Sequence, residues 1–253
     1  MGYASINGIN MYYETHGQGY PLVLIHGGGS TIRTSFGHIL PLLAKKYAVI
    51  AVELQAHGHT SDRDAPETFE QDADDVAGLV KHLAISKAHF LGFSNGGNTA
   101  MQIGIRHPQI VNKLVVASAF YKREGMITGF FEGMAKATLN DMPDFLQQDF
   151  LSVNNDARAL QTMFEKDRDR MNSFTDWPVS LLSAIRSPVL LMSGDKDVVT
   201  AEHTVEMSRN ITDCELIILP GQHGAFFGEG FVDSTSKLPT LTVELIAEFL
   251  DKR

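Results

Sequence analysis

Six short apolar runs limit what this chain can become: "PLVLIHG", "YAVIAVEL", "AHFLGF", "NKLVVASAF", "PVLLMSG" and "CELIILPG". They do not alternate apolar with polar residues, so they read as strands covered on both faces. Between several of them lie stretches of helical period, at 69–83, 95–106, 201–209 and 239–250; in the first, Val76, Leu79, Val80 and Leu83 share one stripe. Strands alternating with helices imply right-handed crossovers and a mostly parallel sheet flanked by helices, an α/β architecture. The opening "ASINGINMYYETHG" reads differently, as two short strands around Asn7-Gly8, a pair suited to a type I′ hairpin turn because both residues tolerate positive φ. With 253 residues and 43% hydrophobic content, the chain can bury one large core, and a single domain over 1–253 is expected.

The alternation breaks between 120 and 187, where no strand-like run of length occurs and short helical patterns such as "GMITGFFEGMAKATL" and "DARALQTMFEKDRDRM" take over. This block holds 5 of the 10 Met and 7 of the 15 Phe, a composition that fits an inserted helical cap lined with adaptable apolar side chains. Its cations, Lys122, Arg123, Arg158, Lys166, Arg168 and Arg170, mostly alternate with acids and read as solvated faces.

The segment "GFSNGG" carries the chemistry. A strand ending at Phe93 and a helix starting at Asn95 force the chain to reverse at Ser94, in a strained backbone conformation. Gly92 and Gly96 let strand and helix approach where a Cβ would clash, and Gly97 extends that tolerance. Ser94 then projects from the C-terminal edge of the sheet above a helix N-terminus, where partial positive charge favours a developing anion. A serine hydroxyl is a weak nucleophile without a base. Of the ten histidines, His223 in "ELIILPGQHGAF" follows the last strand-like run through a glycine turn onto the same edge. His16, His38, His82, His107 and His203 read better as exposed residues of helices or connections. In "PVLLMSGDKDVVT", Asp197 is placed to reach the imidazole, while Asp195 reads as shaping the turn. "LVLIHGGGST" ends an early strand in three glycines; the N–H of Gly28 is the favoured oxyanion donor, with the N–H of Asn95 as its partner. His26 reads as structural.

The N-terminal hairpin, "HGGG", "AHGHTSD", "GFSNGG", the helical insertion, "GDKD" and "GQHG" arrive in the order found in the α/β-hydrolase fold family, which the chain resembles along essentially its whole length. It looks like the small esterase and C–C hydrolase branch. The resemblance implies a catalytic triad of Ser94, Asp197 and His223, in the family's chain order, with oxyanion donors at Gly28 and Asn95. Three features depart from the pattern: Asn95 where Met, His or Gln is more usual, Glu53 where Asp is, and a longer, glycine-rich segment over 224–238.

Together these features imply a serine hydrolase, carboxylesterase-like, acting on small to medium, largely apolar ester substrates through an acyl-enzyme. The alternatives are a C–C bond hydrolase or lactonase of the same fold, or a ligand-binding receptor with slow turnover. No cofactor is called for: the "HGHTSD" stretch misses the register of H-x-H-x-D-H zinc ligands, and neither the G-x-G-x-x-G spacing nor a P-loop lysine appears. A net charge of -9 without a Lys/Arg cluster argues against nucleic acid or anionic lipid as a partner. The single Cys214, a start lacking basic and apolar leader regions, and the absence of a run near the roughly 20 apolar residues that span a bilayer lead us to expect a soluble cytoplasmic protein, monomer or homodimer.

Overall fold

All six apolar runs become strands in the computed structural model, which describes residues 1–229 and 235–252. They are β3 (Tyr20–Ile25), β4 (Tyr47–Val52), β5 (Ala88–Phe93), β6 (Val111–Ala117), β7 (Val189–Lys196) and β8 (Cys214–Gln222), preceded by the hairpin β1 (Gly2–Ile6) and β2 (Ile9–His16). Asn7 and Gly8 turn that hairpin at φ 45° and 89°. The sheet has 8 strands in the order β1-β2-β4-β3-β5-β6-β7-β8. β3 to β8 pair in parallel, while β1 with β2 and β2 with β4 pair antiparallel.

Helices cover both faces, as buried parallel strands require. In β3, Val23 and Ile25 face one layer with α3 (Phe69–His82), α4 (Asn95–Arg106) and α9 (Ala201–Asn210). Leu22 and Leu24 face the other, formed by α1 (Ile32–Phe36), α2 (Leu40–Leu43) and α10 (Leu238–Asp251). The stripe read from the sequence is the one α3 buries, with Val76, Leu79 and Val80 in the core and the Thr68 hydroxyl capping its N-terminus. The short α1 and α2 had no signal in the sequence: at 5 and 4 residues they are too brief for a period to show.

Between β6 and β7 the chain forms α5 (Phe130–Lys136), α6 (Asp144–Val153), α7 (Ala157–Ser173) and α8 (Val179–Ala184), over the C-terminal edge of the sheet. Charged side chains tie this layer down. Asp149 of α6 accepts from Thr31 and Arg33 around α1, and Lys166 Nζ of α7 donates to Asp62 at 2.6 Å. One expectation fails here: Arg170 is not on a solvated face, because its side chain is only 3% exposed and enters the core. Of the glycine-rich stretch 224–238, residues 230–234 lie outside the described residues. Among the described residues, no helix is long and apolar enough to cross a membrane.

Candidate active site

Ser94 occupies the turn between β5 and α4 at φ 55°, a region that non-glycine residues seldom adopt. Two neighbours allow it. A Cβ on Gly92 would drive into the Gly96 carbonyl, and one on Gly96 would drive into the carbonyls of Ile25 and His26. Strand and helix therefore meet backbone to backbone, and Ser94 N–H is fixed by the Ala117 carbonyl at 2.8 Å. The hydroxyl stands at the first turn of α4, whose unpaired N–H groups carry partial positive charge.

His223 follows β8 through Gly221 at φ 128°, and Gly224 continues the turn at φ 72°. Its ring rests on Phe93, with centroids 4.8 Å apart, and Phe226 and Phe227 pack behind Phe93. His223 Nδ1 donates to Asp197 Oδ1 at 2.6 Å; Nε2 is left as the acceptor and lies 3.0 Å from Ser94 Oγ. Three distant segments thus form one hydrogen-bonded chain. Asp197, in the loop after β7, also accepts from Ser118 Oγ at 2.5 Å and from the N–H groups of Gly194 and Val199. Burial pushes the Asp197 carboxyl up, but His223 and these donors outweigh it and hold it below its usual range. Burial lowers His223; the hydrogen bond and charge of Asp197, with the charge of Glu229, raise it further, so the imidazole ends above its usual 6.5.

Asp195, two residues from Asp197, accepts from Gly221 N–H at 2.7 Å and ties β7 to the turn carrying His223. His26 is buried: Nδ1 donates to the Gly27 carbonyl, Nε2 accepts from Leu54 N–H, and burial holds it neutral, down at about 3. His203 departs from its reading as an exposed residue. It is buried, and Nε2 accepts from Tyr121 N–H. Ser118 was missed altogether, although it directly follows β6 at the edge where β5 delivers Ser94.

The N–H groups of Gly28 and Asn95 make no hydrogen bond among the described residues, which leaves both free to donate. Both residues line a cavity of about 300 Å³ that has Ser94 and His223 at its floor and Met126, Phe130, Met134 and Met163 on its walls. A second cavity of about 390 Å³ shares Gly28, Ser94 and His223 and reaches Ser30 and Glu229. Glu229 accepts from Ser30 Oγ at 3.0 Å, and burial pushes its carboxyl up to about 7.

A charged cluster borders the first cavity. Asp167 of α7 accepts from Gly29 N–H at 2.5 Å, His57 Nε2 at 3.0 Å, Asn95 Nδ2 at 3.2 Å and Arg170. Arg170 also donates to Asp72 at 2.8 Å and lies 3.5 Å from Glu67. Burial lowers His57, yet Asp167 outweighs it and holds the imidazole at about 9. His59 is engaged elsewhere, with its Nδ1 on Glu53 at 2.9 Å, so the two histidines of "HGHTSD" serve separate carboxylates.

Known proteins share the fold. Residues 22–230 match the model of the alpha/beta hydrolase family. The human serine hydrolase BPHL is 28% identical over 92% of this chain and 83% of its own length. A 2-hydroxymuconate semialdehyde hydrolase from a Pseudomonas species is 35% identical over 65% of this chain and 54% of its own. The solved structure of a thermophilic esterase from Thermogutta terrifontis superposes with a TM-score of 0.76 at 21% identity, over 99% of this chain and 98% of that one. The match over 22–230 takes in the β5–Ser94–α4 turn and the parallel sheet that carries it, and the chain belongs to the alpha/beta hydrolase family.

Proposed function

We propose that the chain is a serine hydrolase that cleaves carboxylic esters of small to medium, largely apolar substrates. The observation that carries this reading is the unbroken path from Ser94 Oγ through His223 to Asp197, lying under an apolar cavity. His223 Nε2 takes the hydroxyl proton as Ser94 Oγ attacks the ester carbonyl, and Asp197 stabilises the imidazolium. The carbonyl oxygen becomes an oxyanion held by the N–H groups of Gly28 and Asn95, where one donor is typically worth roughly 10²–10³ in kcat. The imidazolium returns the proton to the leaving alcohol. Water then repeats the cycle on the acyl-enzyme, and the acid leaves.

C–C bond cleavage is the second reading, favoured by the partial likeness to the Pseudomonas semialdehyde hydrolase. Substrates of that kind carry carboxylates. The one cation on the cavity wall among the described residues is Arg168, and its guanidinium is paired with Asp169 at 2.9 Å. Asp141 and Asp167 line the same cavity, so the balance of charge favours neutral esters. Turnover of p-nitrophenyl butyrate beside a dienoate C–C substrate separates the readings. We expect ester cleavage to dominate and to vanish in Ser94→Ala. Cleavage of the dienoate alone would reverse the choice, and ester turnover surviving in Ser94→Ala would remove the nucleophile.

A further inference from the structure

Among the described residues, Asp167 is the one carboxylate that touches both segments carrying the unpaired N–H donors. Its Oδ2 takes the N–H of Gly29, the peptide next to Gly28, and its Oδ1 takes the side-chain amide of Asn95. A Cβ built on Gly28 would meet Asn95 Nδ2 and come within 3.1 Å of Asp167 Oδ2, so loop, amide and carboxylate are in direct contact. We infer that Asp167 is a positioning residue: reaching down from α7, it sets the aim of the Gly28 and Asn95 N–H groups and so assembles the oxyanion site from above.

A half-buried carboxylate beside a site that must stabilise negative charge would ordinarily oppose catalysis. Its neighbours cancel it. His57 Nδ1 faces the Gln55 carbonyl at 2.8 Å and Nε2 faces Asp167 at 3.0 Å; neither oxygen can donate, so both ring nitrogens do, and the ring is an imidazolium. Arg170 supplies a second positive charge and Asp72 the matching negative one, while burial pushes the neighbouring Glu67 carboxyl up to about 8 and so keeps it protonated near neutral pH. Asp167 thus orients the donors without imposing net charge on them. An alternative role as a receptor for a cationic substrate group finds no support, because the four donors already on Asp167 use up its oxygens.

This inference rests on the hydrolase reading above, and the experiment keeps the two apart. Asp167→Asn and Asn95→Ala are compared with the unaltered chain for kcat and KM on p-nitrophenyl butyrate, for inhibition by an aryl trifluoromethyl ketone, and for thermal unfolding. The ketone is chosen because its adduct with Ser94 carries the oxyanion. In Asp167→Asn we expect kcat to fall roughly tenfold to hundredfold, the loss that displaced catalytic geometry brings, with KM within about twofold and the ketone Ki rising in parallel. Asn95→Ala keeps its backbone N–H, so its smaller loss should combine with that of Asp167→Asn less than additively. Turnover in the unaltered chain with an unchanged ketone Ki in Asp167→Asn would overturn the inference alone, whatever the unfolding temperature. No turnover in the unaltered chain would remove the hydrolase reading and this inference with it. Should Asp167→Asn fail to fold, Asn95→Ala decides: an unchanged ketone Ki there overturns the inference.

Discussion

His223 is pulled two ways, by burial that disfavours its charge and by two carboxylates that favour it, and the carboxylates prevail. In the proposed mechanism, attack by Ser94 needs the neutral imidazole. A pKa raised above 6.5 therefore places the acid limb of kcat/KM above 6.5, with rate falling as pH drops through it. Glu229 contributes to that rise through its charge, so Glu229→Gln should move the acid limb to lower pH. A pH profile of both proteins checks this; an unchanged midpoint would show that Glu229 does not reach the imidazole. At this scale the sequence was informative wherever local chain geometry decides. Ser94 between its glycines, His223 after a glycine turn and Asp197 past a strand end could all be read from their neighbours. Ser118, Asp167 and the side-chain role of Asn95 could not, because their partners lie 79, 138 and 72 positions away in the chain. A buried Arg170 was equally hidden: a cation among acids looks solvated until the partners that bury it, Asp72 and Glu67, arrive from another helix and its loop.

The turn at Ser94 depends on two elements approaching closer than side chains permit. Gly96→Ala should therefore unfold the protein or lower its Tm by several degrees, since the added Cβ meets the Ile25 and His26 carbonyls. Gly133 in α5 offers the contrast: it is exposed and a Cβ there meets nothing within 4 Å. Gly133→Ala should leave activity intact and gain about 0.5–1 kcal/mol from helix propensity. Thermal unfolding of the pair checks both, and a stable Gly96→Ala would contradict the close approach of strand and helix at Ser94. The docking of α7 carries its own pH signature. His57 is held at about 9 in the folded chain against an ordinary 6.5, so its contribution to stability is complete below 6.5 and is lost as pH rises through about 9. Glu67, pushed up by burial to about 8, acts in the same direction. The Tm should fall between pH 6.5 and 9, and His57→Gln should make that fall shallower; an equal slope would remove the ion pair from the docking. Strands and long helices were legible because their periods repeat over many residues. The helices α1 and α2 were not, since such short segments carry little period of their own and are held by tertiary contacts such as Thr31 and Arg33 to Asp149.

In the molecule as a whole, a parallel sheet gathers the ends of β3, β5, β6, β7 and β8 at one edge, and the helices between β6 and β7 close a greasy space over it. The shape of that space follows from many side chains at once, which is why the sequence disclosed its apolar character through the Met and Phe of 120–187 but not its walls. A cavity of about 300 Å³ lined by thioethers and rings should reward longer acyl groups. At about 0.8 kcal/mol per buried methylene, kcat/KM should rise by roughly fourfold per carbon until the cavity is full, then level or fall. A panel of p-nitrophenyl esters from acetate upward reads this directly; a flat profile would place the acyl group elsewhere. The most direct test of the central claim is covalent: treat the chain with a fluorophosphonate, digest it and map the adduct by mass spectrometry. One adduct on Ser94, formed in step with loss of ester turnover and absent from Ser94→Ala, is the expected result. An adduct on another residue, or full turnover in protein whose Ser94 is blocked, would contradict it.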